Sequence, residues 1–192
     1  MKNKFLNIAL VLTVVLSTLS FTNVDEDKKE VKADKSKITW KGYKVTGSHE
    51  GTVNLKSGHF TFDEGKLTGG EFVVDMTSLT STDLSGEYQQ KLDGHLKADD
   101  FFGVDKHPTA KLVITNVEAS GKNSYEVTGD LTVKGETNPI TFDLSVYGSK
   151  ATSALKIDRT KYGLRYGSGS FFDNLGDKTI YDEFDLVVDL EF

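Results

Sequence analysis

Few residues in this chain have types and spacings that could do chemistry. His95 and Asp99 lie four apart, as two ligands on one helical face would, and His107 follows just before Pro108. A metal-dependent enzyme centred on His95 and His107 can be drawn from that spacing. The plainer reading has His95 packing a helix end, Asp99 and Asp100 in water, and His107 shaping the turn before Pro108. His49 and His59 have no evident partners. Gly163-Leu-Arg-Tyr-Gly-Ser-Gly169 has the glycines of a phosphate cradle without the helical pattern that should follow. Gly-x-Ser-x-Gly elbows, phosphate loops and His-Glu-x-x-His pairs are absent from the sequence. The expectation is a protein that is not an enzyme and uses no cofactor. Arg159 and Arg165 are the only arginines. Their planar donors suit an acceptor group such as a phosphate, and a surface ion pair suits them equally.

The elements that would position these residues are strands. From Lys37 onward apolar residues recur with period two. Ile38 and Trp40, Val53 and Leu55, Phe60 and Phe62, and Phe72, Val74 and Met76 form the first such faces. Ala110, Leu112 and Ile114, Leu131 and Val133, Ile140, Phe142 and Leu144, Leu155 and Ile157, and Phe184 to Phe192 continue them. Turn-forming clusters such as Asp63-Glu-Gly65 and Lys134-Gly135 separate the runs. One segment departs from this. Tyr88, Leu92 and Leu96 fall at helical spacing after Ser85, a candidate N-cap. The predicted fold class is all-β: an antiparallel β-barrel of about eight strands with one short α-helix.

Composition narrows the function further. The 192 residues include 23 basic and 29 acidic ones, for a net charge of −6, the opposite of a phosphate-backbone binder, so nucleic acid is not an expected partner. With no cysteine, disulfide scaffolds and thiol catalysis are excluded. Lys2 and Lys4 precede an apolar run to Leu16 and the small residues Ser17 to Ser20, the layout of a secretory signal peptide over residues 1–20. An uncleaved membrane anchor is the alternative. Export without cysteine suggests a periplasmic protein. Residues 21–36, charged in both signs and nearly devoid of apolar side chains, read as a flexible linker ahead of a barrel domain over 37–192.

An eight-stranded barrel is wide enough to be filled by its side chains or to hold one small ligand. The candidate ligand-binding residues are Trp40, Phe60, Phe62, Phe72, Leu112, Ile114, Leu131, Val133, Phe142 and Leu144, with Arg159 near the rim. An interior of this kind would grip hydrocarbon, each buried five-carbon prenyl unit gaining roughly 3 kcal/mol. Alternation alone favours a filled core over an open one. A small outer-membrane barrel is a further alternative, but apolar runs of five to seven residues fall short of the ~9–11 needed to cross a bilayer.

Several stretches together resemble the YceI family. They are Ile38-Thr-Trp40, Gly70-Glu-Phe-Val-Val-Asp-Met-Thr-Ser78, Gly94-His-Leu-Lys-Ala-Asp-Asp-Phe-Phe102, Lys106-His-Pro-Thr109, Val127-Thr-Gly-Asp-Leu-Thr-Val-Lys-Gly135 and Asp158-Arg-Thr-Lys-Tyr-Gly163. The likeness runs in order from about residue 36 to the end. It implies a lipocalin-like periplasmic barrel that holds a long polyisoprenoid or quinone-like lipid in its apolar interior, without catalysis. The implied partner is an isoprenoid-type lipid, and both peripheral membrane contact for lipid exchange and a homodimer are compatible with it. Two regions depart from the family pattern: the polar Gly47-Ser-His-Glu-Gly51, and the Gly-rich, aromatic segment Gly167 to Gly176, which reads as a variable rim.

Overall fold

The computed structural model describes residues 27–192. The expected signal peptide and residues 21–26 lie outside that range. Nine strands and one α-helix are described: β1 (Asp27–Glu30), β2 (Lys37–Lys44), β3 (Gly47–Asp63), β4 (Lys66–Ser81), α1 (Gly86–Lys97), β5 (Thr109–Ala119), β6 (Ser124–Val133), β7 (Glu136–Tyr147), β8 (Lys150–Asp158) and β9 (Ile180–Glu191). Three short 3-10 turns, at 33–35, 159–162 and 176–178, complete the set.

The strands pair antiparallel in the order β3-β2-β9-β8-β7-β6-β5-β4, and β4 pairs back onto β3 to close an eight-stranded barrel. Closure is possible because β3 is long enough to serve several neighbours. Residues 47–53 face β2 and residues 59–62 face β1, while β4 runs along the other edge with register shifts at Thr52/Asn54, Leu55/Ser57 and Thr61/Phe62. Such bulges bend a strand and let a sheet curl. Two tight hairpins take type I′ geometry, with positive φ at Glu64 and Gly65 (48° and 78°) and at Lys134 and Gly135 (50° and 82°). Both sit where turns were expected.

Alternation reads out as predicted. Trp40, Phe60, Phe62, Phe72, Ile114 and Leu144 are buried inside, whereas charged residues pair across the outer face, as in Lys41–Glu50, Lys111–Glu71 and Lys156–Asp185. That is the inverse of an outer-membrane barrel, which turns its apolar residues to lipid.

Two expectations need correction. The supposed linker is ordered over residues 27–36. β1 pairs with β3 from Asp27↔Phe62 to Glu30↔His59, Val31 is buried, and its N–H donates to the Gly58 carbonyl at 2.8 Å. A charged sequence suits this place because β1 is an edge strand with all four side chains exposed. The helix also departs in part from its expected apolar stripe. Leu96 is buried but Tyr88 is 75% exposed, and Ser85 makes no side-chain cap. Leu92 packs against the core beside Leu96, as the stripe predicts, and polar contacts add to this anchorage. Asp93 accepts from Thr80 Oγ1 (2.6 Å), Ser81 N (2.7 Å) and Ser81 Oγ (2.8 Å), and Gln89 Nε2 donates to the Ser81 carbonyl (2.7 Å). Burial alone would push the Asp93 carboxyl up, but these bonds outweigh it and hold it below the usual carboxylate range.

Candidate ligand-binding cavity

The barrel encloses a cavity of about 210 Å³. Ten of the eleven candidate residues line it: Trp40, Phe60, Phe72, Leu112, Ile114, Leu131, Val133, Phe142, Leu144 and Arg159. Ile140, Leu155, Ile157, Phe184, Leu186 and Val188 add to the walls from β7, β8 and β9, and Leu96, Phe101 and Phe102 do so from α1 and the loop after it. Phe62 is the exception. It points inward, yet its ring lies 6.2 Å from Phe60 and 5.8 Å from Phe192, so it packs in the barrel floor and does not face the space above.

All eight barrel strands wall the cavity, and the sheet is loosest on one flank of it. β7 and β8 pair only from Ser145↔Thr152 to Tyr147↔Lys150. Above that, Ser153 Oγ donates to the Asp143 carbonyl (2.6 Å) and Asn138 Nδ2 to the Lys161 carbonyl (2.9 Å), side-chain bonds standing in for part of the ladder. The spread puts Ile140 and Phe142 on one side and Leu155 and Ile157 on the other without the two pairs meeting across a ladder. Trp40, on the facing side, lies over Gly51: a Cβ at Gly51 would fall 2.6 Å from the indole and 2.0 Å from the Thr80 carbonyl oxygen. Its Nε1 is a buried donor with no hydrogen-bond partner.

Arg159 is the one fully charged group deep in the wall, and it is already engaged. Its Nε donates to the Tyr181 carbonyl (3.0 Å), Nη1 to that of Leu164 (2.6 Å) and Nη2 to that of Ile180 (3.0 Å), while Asp182 Oδ1 stands 3.6 Å away. Burial lowers its pKa from the ordinary value, against the charges of Asp182 and Asp158, but an arginine stays charged after such a shift. The residue therefore ties the 159–164 turn to the start of β9. Arg165 lies over the Phe171 ring at 4.5 Å.

The histidines do not converge. His95 stacks edge-on against Tyr166 (4.5 Å) and Phe101 (5.5 Å), His49 Nδ1 is bonded to Asp83 (2.8 Å), and Asp99 pairs with Lys106. Among the described residues no group of three or more His, Asp or Glu side chains is arranged to hold a metal ion.

The YceI-like domain model matches residues 24–192. This chain belongs to the YceI family. Among YceI relatives, a UPF0312 protein of Pseudomonas putida (strain GB-1) is 32% identical over 144 residues, spanning 73% of this chain and 71% of the relative. A UPF0312 protein of Vibrio parahaemolyticus is 34% identical over 115 residues, or 59% and 56% of the two chains. Two solved structures have the same fold at low identity. BcnA of Burkholderia cenocepacia aligns with a TM-score of 0.63 at 23% identity, covering 83% of this chain and 98% of BcnA. A polyisoprenoid binding domain from Saccharophagus degradans, implicated in plant cell wall breakdown, aligns with a TM-score of 0.58 at 15% identity, covering 84% and 95%. YceI membership accounts for the barrel and the helix, and the model match begins at residue 24, ahead of β1.

Proposed function

We propose that this chain is an exported binding protein that sequesters or carries a polyisoprenoid or quinone-like lipid. The observation that carries this reading is the cavity itself, walled by Leu, Ile, Val and Phe side chains from β4 to β9 and capped by α1. A void of this size costs on the order of 5 kcal/mol when nothing packs against its walls, and such walls offer water few partners. An apolar chain regains that energy. The polyisoprenoid-binding domain with the same fold supports the ligand class, and the basic-then-apolar N-terminus supports export to the periplasm. Family membership favours binding over catalysis. Exposed Phe171, Phe172 and Tyr181 at the upper rim suit contact with a bilayer during lipid exchange.

The deciding experiment is native mass spectrometry of the protein purified without detergent, followed by organic extraction. The expected result is a co-purifying apolar adduct whose mass gives chain length and headgroup. A bare protein mass, unchanged after incubation with prenyl lipids, would overturn the reading.

A further inference from the structure

The pairing of β2 with β9 lapses at the upper end of the barrel. Gly42 faces Phe184 and Lys44 faces Ile180, so Tyr43 alone spans the stretch occupied on β9 by Tyr181, Asp182 and Glu183. The carbonyls of Ile180 and Tyr181, at this bulge, are the ones Arg159 satisfies. Outside the bulge lies a second pocket, walled by Lys156, Ser170, Thr179, Asp182 and Glu183, which shares Tyr43, Ile180 and Tyr181 with the apolar cavity. The two spaces thus abut where the ladder is broken. Gly42 stands at this threshold, and a Cβ there would meet nothing within 4 Å.

The chemistry of the outer pocket is one-sided. Tyr43 donates its hydroxyl proton to Asp185 (2.6 Å), Thr179 to the Gly176 carbonyl (2.8 Å) and Ser170 to Asp182. All three hydroxyls therefore have lone pairs left to offer and no proton. Two cations stand beside them: Lys156 bonds Asp185 at 2.7 Å with Glu183 at 4.0 Å, and Arg159 is held by three carbonyls and Asp182. Three carboxylates, Asp182, Glu183 and Asp185, stand against those two cations. A phosphate ester brings close to two negative charges and only acceptors at neutral pH, so it meets the repulsion of three carboxylates with only the remaining protons of Lys156 to receive it. A hydroxyl can donate to the acceptors that predominate here and brings no charge to be repelled.

Building on the lipid-carrier reading, we propose that the polar end of the ligand sits in this outer pocket, and that the pocket selects an uncharged, hydroxyl-bearing headgroup of the polyprenol type over the phosphate of the same chain.

Trp40 is the only tryptophan and lines the cavity, so its fluorescence reports occupancy. The experiment titrates the full chain with a polyprenol and with the matching polyprenyl monophosphate at low salt. Expected is at least tenfold tighter binding of the alcohol, with the gap closing as salt rises. Glu183→Lys, at an exposed position, should raise phosphate affinity about tenfold and so narrow the gap between the two lipids. Gly42→Phe should weaken both. Phosphate binding as tightly as the alcohol to the unmodified protein would overturn the headgroup assignment while leaving the carrier reading intact. Gly42→Phe binding both like the parent would overturn the location. Failure of both lipids to bind would overturn the carrier reading and the headgroup assignment with it.

Discussion

At the lower end of the barrel phenylalanines close on one another: Phe60 lies 4.9 Å from Phe72 and 5.2 Å from Phe192, with edge-to-face geometry, and is 1% exposed. A few residues higher, Leu112, Leu131, Val133, Ile140 and Phe142 form a wall that borders open space. The side chains are of the same kind in both regions. The difference lies in the sheet. Around the floor, β3 is paired with both β1 and β4, and β9 with both β2 and β8. Beside the cavity, β7 and β8 share only the three pairs near their turn. Tight ladders bring facing walls close enough for aromatic rings to interlock. A spread ladder leaves walls that only an added chain can bridge. A filled core and a binding site are therefore built from one alternating pattern, and the strand spacing separates them.

Truncating a ring in each region should break or sharpen this contrast most strongly. Phe60→Ala removes a ring interlocked with Phe72 and Phe192 and should cost about 3–5 kcal/mol, read from urea unfolding of the lipid-free protein. Phe142→Ala removes one that already borders open space and should cost about 1–2 kcal/mol. Equal losses would mean that the cavity wall is as tightly supported as the floor.

Filling the space tests the contrast from the other direction. Leu131→Trp adds a large ring where there is room, so stability without lipid should stay within about 1.5 kcal/mol of the parent. Lipid uptake should fall at least tenfold, as measured by co-purifying mass. Destabilisation comparable to Phe60→Ala would show that the walls cannot yield to an added ring.

The smallest effect is expected outside both regions, at the helix that caps the cavity. Asp93 is ionised more easily in the fold than in an unfolded chain, since hydrogen bonds from Thr80 and Ser81 outweigh its burial. A depressed carboxyl contributes stability above the unfolded pKa and loses it as pH falls through the folded one. The stability gap between the parent and Asp93→Asn should therefore be widest near neutrality and shrink in acid, below the ordinary carboxylate range. A gap independent of pH would assign the anchor to shape alone.

Much of this was legible in the residues. The inward positions on every strand from β2 to β9 follow from alternation, because successive side chains of a strand must point to opposite faces. The turns at Glu64-Gly65 and Lys134-Gly135 were legible for a similarly local reason. β1 was not: its pairing with β3 rests on an edge left open by β2 and on the single apolar anchor Val31. Nor was the polar anchoring of α1, although Gln89 and Asp93 stand four apart and share a helical face. The place of Arg159 near a rim is legible, but two of its three carbonyl partners lie more than twenty residues along the chain, which no spacing announces.

The sequence by itself determined which residues face inward, that they are apolar, and that the chain belongs among antiparallel barrels, because these depend on neighbours one or two residues apart. Tertiary structure alone decided that Phe62 fills the floor while Phe142 borders a cavity, that Arg159 is spent on backbone, and that an acceptor-lined pocket abuts the cavity at the β2–β9 bulge. Those outcomes depend on how far strands remote in sequence stand from one another, and that distance is set by the closure of the whole barrel.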